Sequence, residues 1–133
     1  MEYLLDTNIC IYIIKKKPEK VFNKFRNISF GSIGISSITL AELQYGVMKS
    51  SNPGKNQEAL ERFITPLQIF DFGFDQAFVY GKIRAELERK GTPIGPLDTL
   101  IASHAVSLDL ILVTNNMREF KRIPDLQLEN WIE

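Results

Sequence analysis

Asp6, Glu42 and Asp98 each lie just past an apolar run or in the opening turns of a helical pattern, and Asn115 and Asn116 close the last apolar run. Singly, each acid has a structural reading. Asp6 suits a helix N-cap, Thr39 and Glu42 have capping-box spacing, and Asp98, just after Pro96, suits the dipole of a first helical turn. Together the acids demand more. Two unit charges about 4 Å apart repel by roughly 4 kcal/mol at an effective dielectric of about 20, so converging carboxylates must protonate, stay apart or hold a cation. An all-oxygen set of Asp, Glu and Asn suits a hard ion, Mg²⁺ or Mn²⁺, better than zinc. Such ions serve phosphate chemistry: they activate water and steady the charge of an in-line displacement at phosphorus.

Convergence depends on the elements that carry these residues. Glu2 to Leu5 reads as a strand, and Asp6-Thr7-Asn8 supplies N-cap types for a helix that Pro18 ends. Ile9, Ile11 and Ile13 also alternate with period 2, which leaves a strand open there. Val21, Phe22 and Phe25 mark a second helix, Ile33 to Ser36 a second strand, and Leu40, Leu43 and Val47 a third helix. Pro53 opens a fourth helix that runs to about Phe63, Leu67 to Phe72 reads as strand, and Asp75 is placed to cap a long fifth helix with Val79, Tyr80, Ile83 and Leu87 on its stripe. Gly95-Pro96 opens a sixth, with Leu97, Leu100, Ile101, Ala105 and Leu108 on one face, and Leu110 to Thr114 is a buried strand. Strands alternating with helices predict an α/β fold with a parallel sheet covered on both faces, in which ligands sit beyond the carboxyl ends of the strands. Such a sheet delivers Asp6, Glu42 and Asp98 to one edge.

The chain has 133 residues, 44% apolar and 24% charged, and neither a repeat nor a linker divides it, so residues 1–133 are expected to form a single domain. Cys10 is the only cysteine, which excludes a disulfide framework and a Cys-rich zinc site and suggests a reducing, cytoplasmic setting. Glu2 and Asp6 stand where a signal peptide needs positive charge, and Ile9 to Ile14 is too short to span a bilayer, so no membrane association is expected. Sixteen basic side chains balance sixteen acidic ones, but six of the seven basic residues in positions 1–50 fall between Lys15 and Arg26. Lys15-Lys16-Lys17 is either a solvated helix end or a patch for RNA phosphates.

Smaller signals have modest readings. His104, near Ile101 and Leu100 at helical spacing, is expected to pack on the apolar side of its helix, and Cys10 to be a buried, inert thiol. Thr7 and Thr114 sit beside candidate acids, either to cap and turn the chain or to orient water. Phe70, Phe72, Phe74, Phe78 and Tyr80 suit core or a dimer surface better than base stacking.

The segments LLDTNICIYIIK, SSITLAELQYGV, GTPIGPLDTLIASHA and LILVTNNMREFKRIPDLQLENW, in this order, resemble the VapC toxins, PIN-domain ribonucleases of bacterial toxin–antitoxin pairs. The resemblance covers essentially the whole chain. It implies a PIN-like parallel α/β sandwich, Mg²⁺-dependent endoribonuclease activity with Mn²⁺ as a substitute, and a VapB-type antitoxin whose tail blocks the active site. It further implies a homodimer that meets operator DNA only through the antitoxin. Carried over by position, the acidic site falls on Asp6 after the first strand, Glu42 in the first turns of the helix after the second, and Asp98 at the start of the sixth helix. The fourth acid of many members falls on Asn116, a departure from the pattern; Glu119 can restore the charge if a helix follows Asn115 and turns it to the same face. The TNN-x-x-EF run is similar to the enteric-type subgroup, whose members cut initiator tRNA in the anticodon stem-loop.

Two rivals stand beside this reading. A phosphatase of the haloacid-dehalogenase type wants a second Asp where Asn8 stands, and a receiver domain wants an acidic pair at the first strand, which is absent. A catalytically weak PIN-like binding module for RNA or protein is the other rival, and the intact acids weigh against it.

Overall fold

In the computed structural model, which describes residues 2–29 and 31–132, the consecutive residues Leu4 and Leu5 are both fully buried. Successive side chains of a strand face opposite ways, so both faces of their sheet must be covered. The chain achieves this with β1 (Tyr3–Leu5), α1 (Thr7–Lys15), α2 (Glu19–Arg26), β2 (Ile33–Ser36), α3 (Ser37–Lys49), α4 (Pro53–Ile64), β3 (Gln68–Phe70), α5 (Phe74–Arg89), α6 (Pro96–Leu108), β4 (Ile111–Val113), α7 (Met117–Phe120) and β5 (Gln127–Glu129). The strands form one sheet in the order β3-β2-β1-β4-β5, all neighbours parallel. Leu5 joins Ile9, Ile13, Ile35, Leu43 and Leu60 in a core under α1 to α4, while Leu4 joins Leu87, Ile101, Leu112 and Phe120 under α5 to α7. This is the parallel, doubly covered α/β sheet expected from the alternation of elements. Among the described residues no helix is long and apolar enough to cross a membrane.

Strand order places the site. The chain turns outward from β1 in both directions, to β2 on one side and β4 on the other, and such a reversal opens a crevice beyond the strands' carboxyl ends. Asp6 follows β1 there, and its N–H donates to Val113 O of β4 at 3.0 Å.

One open reading closes in favour of the expected helix, and several local expectations are corrected. The Ile9, Ile11, Ile13 alternation belongs to helix α1, capped by Asp6, because Asp6 Oδ1 accepts the Ile9 N–H at 3.0 Å and commits the next turn. The third strand is shorter than Leu67 to Phe72: the Phe72 N–H leaves the ladder and donates to Ser37 Oγ. Gly73, not Asp75, caps α5, with its N–H donating to Gln76 Oε1 at 2.8 Å and Asp75 lying in the first turn. On α6, Leu97 and Leu108 are exposed, while Thr99, Ser103 and His104 are buried. The hydroxyls of Thr99 and Ser103 donate to carbonyls one turn back, at 2.8 and 2.6 Å, which lets polar residues sit between the sheet and α5. Helix α7 and edge strand β5 have no clear sequence signal, the strand because Gln127-Leu128-Glu129 is short and polar at both ends.

Candidate active site

Each acid reaches the crevice by a different local route. Asp6 is the N-cap of α1 and is buried; besides Ile9 N–H it accepts the Thr114 hydroxyl on Oδ2. Thr114 is itself locked, since its Oγ1 accepts the Asn116 N–H at 2.9 Å. Glu42 stands in the second turn of α3 and accepts the Thr7 hydroxyl on Oε1 at 2.6 Å. The capping-box reading of Thr39 and Glu42 fails, because Ser36 caps α3 by accepting the Ile38 N–H, and Thr39 is buried. Asp98 lies in the first turn of α6, half-buried.

Asp98 is coupled by charge to Asp6 and to Glu42. Burial pushes the Asp6 carboxyl up to about 6; hydrogen bonds from Thr114, Ile9 and Asn8 oppose this, and the charge of Asp98 adds to it. Asp98 is raised by burial first, then by the charges of Glu119 and Glu42. Glu119, on the short helix α7, therefore stands close enough to act on Asp98, as a helix beginning just after Asn116 allows. Asn116 caps that helix without a side-chain hydrogen bond, whereas Asn115 Nδ2 donates to Tyr12 OH at 3.1 Å.

The donor chemistry fits a hard cation. Among the described residues the ion pair found is Arg84 with Glu88, on the surface of α5, so none of the site acids has a basic partner. A carboxylate has about four acceptor sites, so Asp6 keeps lone-pair capacity beyond the bonds it accepts from Thr114, Ile9 and Asn8. As placed, no three His, Cys, Asp or Glu side chains among the described residues close around one point. The charge of Asp98 acts on Asp6, and those of Glu42 and Glu119 act on Asp98.

Comparison with known proteins decides the family. The PIN domain family model matches residues 3–126. The chain belongs to the PIN-domain family, among the VapC ribonucleases. A Rickettsia felis protein named Ribonuclease VapC2 is 53% identical over 132 residues, 98% of either chain. The tRNA(fMet)-specific endonuclease VapC of Salmonella typhimurium is 50% identical over 131 residues, again 98% of either chain. The crystal structure of VapBC2 from Rickettsia felis bound to a DNA fragment from their promoter superposes with a TM-score of 0.90 at 52% identity, covering 98% of this chain and 99% of that one. PIN-domain nucleases depend in general on divalent metal. The phosphatase reading gives way to a ribonuclease, the activity for which the relatives are named.

Sequence reasoning singled out Asp6, Glu42 and Asp98 but missed two side chains that pack beside their elements. Tyr12, the partner of Asn115, carries no local signal. Ser36 does carry one, an N-cap residue type directly before a helical run, yet its partner His104 lies 68 residues away.

Proposed function

We propose that the protein is the toxin of a toxin–antitoxin pair that hydrolyses RNA phosphodiester bonds with Mg²⁺, or Mn²⁺ in its place, at Asp6, Glu42 and Asp98. The observation that carries this reading is the delivery of Asp6 and the helices bearing Glu42 and Asp98 to one crevice, with charges coupled and no basic partner among the described residues. Asp6 and Asp98 are the direct ligands. Those two carboxylates would hold a divalent cation, whose chemistry when bound would be to activate water and to offset the charge that builds on the phosphate oxygens. Glu42, anchored by Thr7, orients that water and takes its proton, and the products are 5′-phosphate and 3′-hydroxyl ends. Thr114 holds Asp6 in the rotamer that serves both α1 and the site.

The substrate proposed is initiator tRNA, cut in its anticodon stem-loop; the support is the tRNA(fMet)-specific endonuclease of Salmonella typhimurium, similar along 98% of this chain. The partner proposed is a VapB-type antitoxin. An open, apolar groove of about 400 Å³ between α1, α3 and α4, lined by Ile11, Ile14, Leu43, Gly46 and Val47, runs up to Glu42, so a segment seated in it reaches the acidic crevice with a basic side chain. Operator DNA is then bound through the antitoxin; the support for a DNA-bound assembly is the similar VapBC2 complex, crystallised with a fragment of its promoter. A homodimer gives cover to Tyr45 and Met48 on α3 and to Phe74 and Phe78 on α5, all exposed.

The test is cleavage of structured RNA by purified protein. Mg²⁺ or Mn²⁺ should support it and a chelator should stop it, while Asp6→Asn and Asp98→Asn each abolish it in a folded protein. A generic phosphomonoester should not turn over. Chelator-resistant cutting, or full activity in either variant, removes the metal site from the mechanism.

A further inference from the structure

His104, the one histidine of the chain, is fully buried on α6, with its ring at a right angle to that of Phe72, 5.5 Å between centroids, and 6.3 Å from that of Phe70. Its Nδ1 lies 2.8 Å from Ser36 Oγ. Ser36 is equally enclosed, and its Oγ already accepts the Ile38 N–H at 3.0 Å as the N-cap of α3. The serine hydroxyl still has its one proton to give, and pointing it at Nδ1 satisfies both groups, with the ring's own proton then on Nε2. Burial lowers the His104 pKa, against the pull of Asp71, and keeps the ring in the neutral form whose Nδ1 accepts.

Packing alone does not account for a histidine at this position. Nε2 is buried with no hydrogen-bond partner among the described residues, a penalty that leucine or phenylalanine in the same aromatic pocket avoids. The elements that this hydrogen bond joins supply the reason. Helix α3 carries Glu42 and α6 carries Asp98, and among the described residues His104 to Ser36 is the only side-chain hydrogen bond from α6 to β2 or α3. We propose that His104 is a positioning residue: through Ser36 it sets α6 against the start of α3, and with it the separation of Asp98 from Glu42 that a shared divalent cation requires. This role rests on the cation-site reading above. Mg²⁺ accepts oxygen ligands only at about 2.0–2.1 Å in near-octahedral order, so a small slide of α6 removes a carboxylate from reach.

The experiment titrates Mn²⁺ into RNA-free protein by calorimetry and measures kcat and KM for RNA cleavage in the same variants. In His104→Asn the amide oxygen takes the place of Nδ1 and can accept from Ser36. His104→Leu keeps the bulk and loses the bond, and Ser36→Ala loses it from the other side. Removing a residue that orients a ligand typically weakens metal binding by about 10-fold or more. His104→Leu and Ser36→Ala should each do so and lower kcat with KM nearly unchanged, whereas His104→Asn should bind Mn²⁺ close to the wild type despite a lower melting temperature. The double variant should bind no worse than either single one. Wild-type Mn²⁺ affinity and kcat in His104→Leu, with only its melting temperature reduced, would overturn the role; so would a loss in His104→Asn as large as in Ser36→Ala, the comparison to use if His104→Leu does not fold. If wild type and Asp6→Asn bind Mn²⁺ alike, the cation-site reading itself is wrong and this role falls with it.

Discussion

The hydroxyl of Thr7 donates to Glu42 Oε1 at 2.6 Å, joining the first turn of α1 to the second turn of α3 across 35 residues of sequence. The bond engages Oε1 and not Oε2 of Glu42, and it limits the rotamers a long glutamate side chain can sample.

Thr7→Val keeps the shape of the side chain and removes this donor. Hydrogen bonds to charged groups contribute about 1.5–3 kcal/mol, so kcat for RNA cleavage should fall on the order of 10-fold or more while KM changes little. Glu42→Gln should lose more. Equal KM and kcat effects in Thr7→Val would move Thr7 from orienting Glu42 to binding RNA.

Asp6 places a pH-dependent load on the fold. Its carboxyl titrates near 6 in the folded protein against an ordinary 3.8, so the folded state holds the proton more tightly than the unfolded one. The stability tied to that proton is complete below about pH 4 and is lost as pH rises through about 6. Asp6→Asn keeps a good N-cap and removes the titration; by this linkage it should be more stable than the wild type by about 2–3 kcal/mol at pH 8, with the difference vanishing towards pH 4. Mg²⁺ should raise the stability of the wild type and not of the variant. Denaturation between pH 4 and 8, with and without Mg²⁺, measures both effects, and a difference independent of pH would contradict the assignment.

Lys15, Lys16 and Lys17 are all exposed at the end of α1, where Lys16 takes the left-handed C-cap conformation. If they meet phosphates, replacing all three with Ala should flatten the salt dependence of RNA binding by about 0.7–0.9 log units for each phosphate no longer neutralised. An unchanged slope returns them to a solvated helix end.

Asn116 and Glu119 are the two candidates for the role of a fourth acid. Glu119 acts on Asp98 through its charge, and the Asn116 side chain caps nothing. Asn116→Asp should tighten Mn²⁺ binding in the absence of RNA, and Glu119→Gln should reduce turnover far less than Asp98→Asn. Unaltered Mn²⁺ affinity in Asn116→Asp would mean that position does not face the cation.

Local signals determine much of this molecule without any help from tertiary packing. Asp6 after an apolar run, Pro53 and Pro96 at first helical turns, and the stripe of Leu43 and Val47 act within one or two turns of the chain, so they are legible in order along the sequence. From that order follow the parallel sheet and the single edge to which the acids are carried. Other features have no local signature. Whether Glu42 turns back to its own helix start or across to Thr7, whether the buried His104 ring meets a polar partner, and whether Gln127-Leu128-Glu129 becomes a strand depend on partners 35, 68 or some 16 positions away. Capping and periodicity are energies between neighbours in sequence, whereas the fate of a buried hydrogen-bonding group depends on which donor or acceptor the packed fold brings within about 3 Å. Tertiary structure alone made Ser36 the hinge between the helix of Glu42 and that of Asp98, because only closing the sheet sets its hydroxyl against the ring of His104.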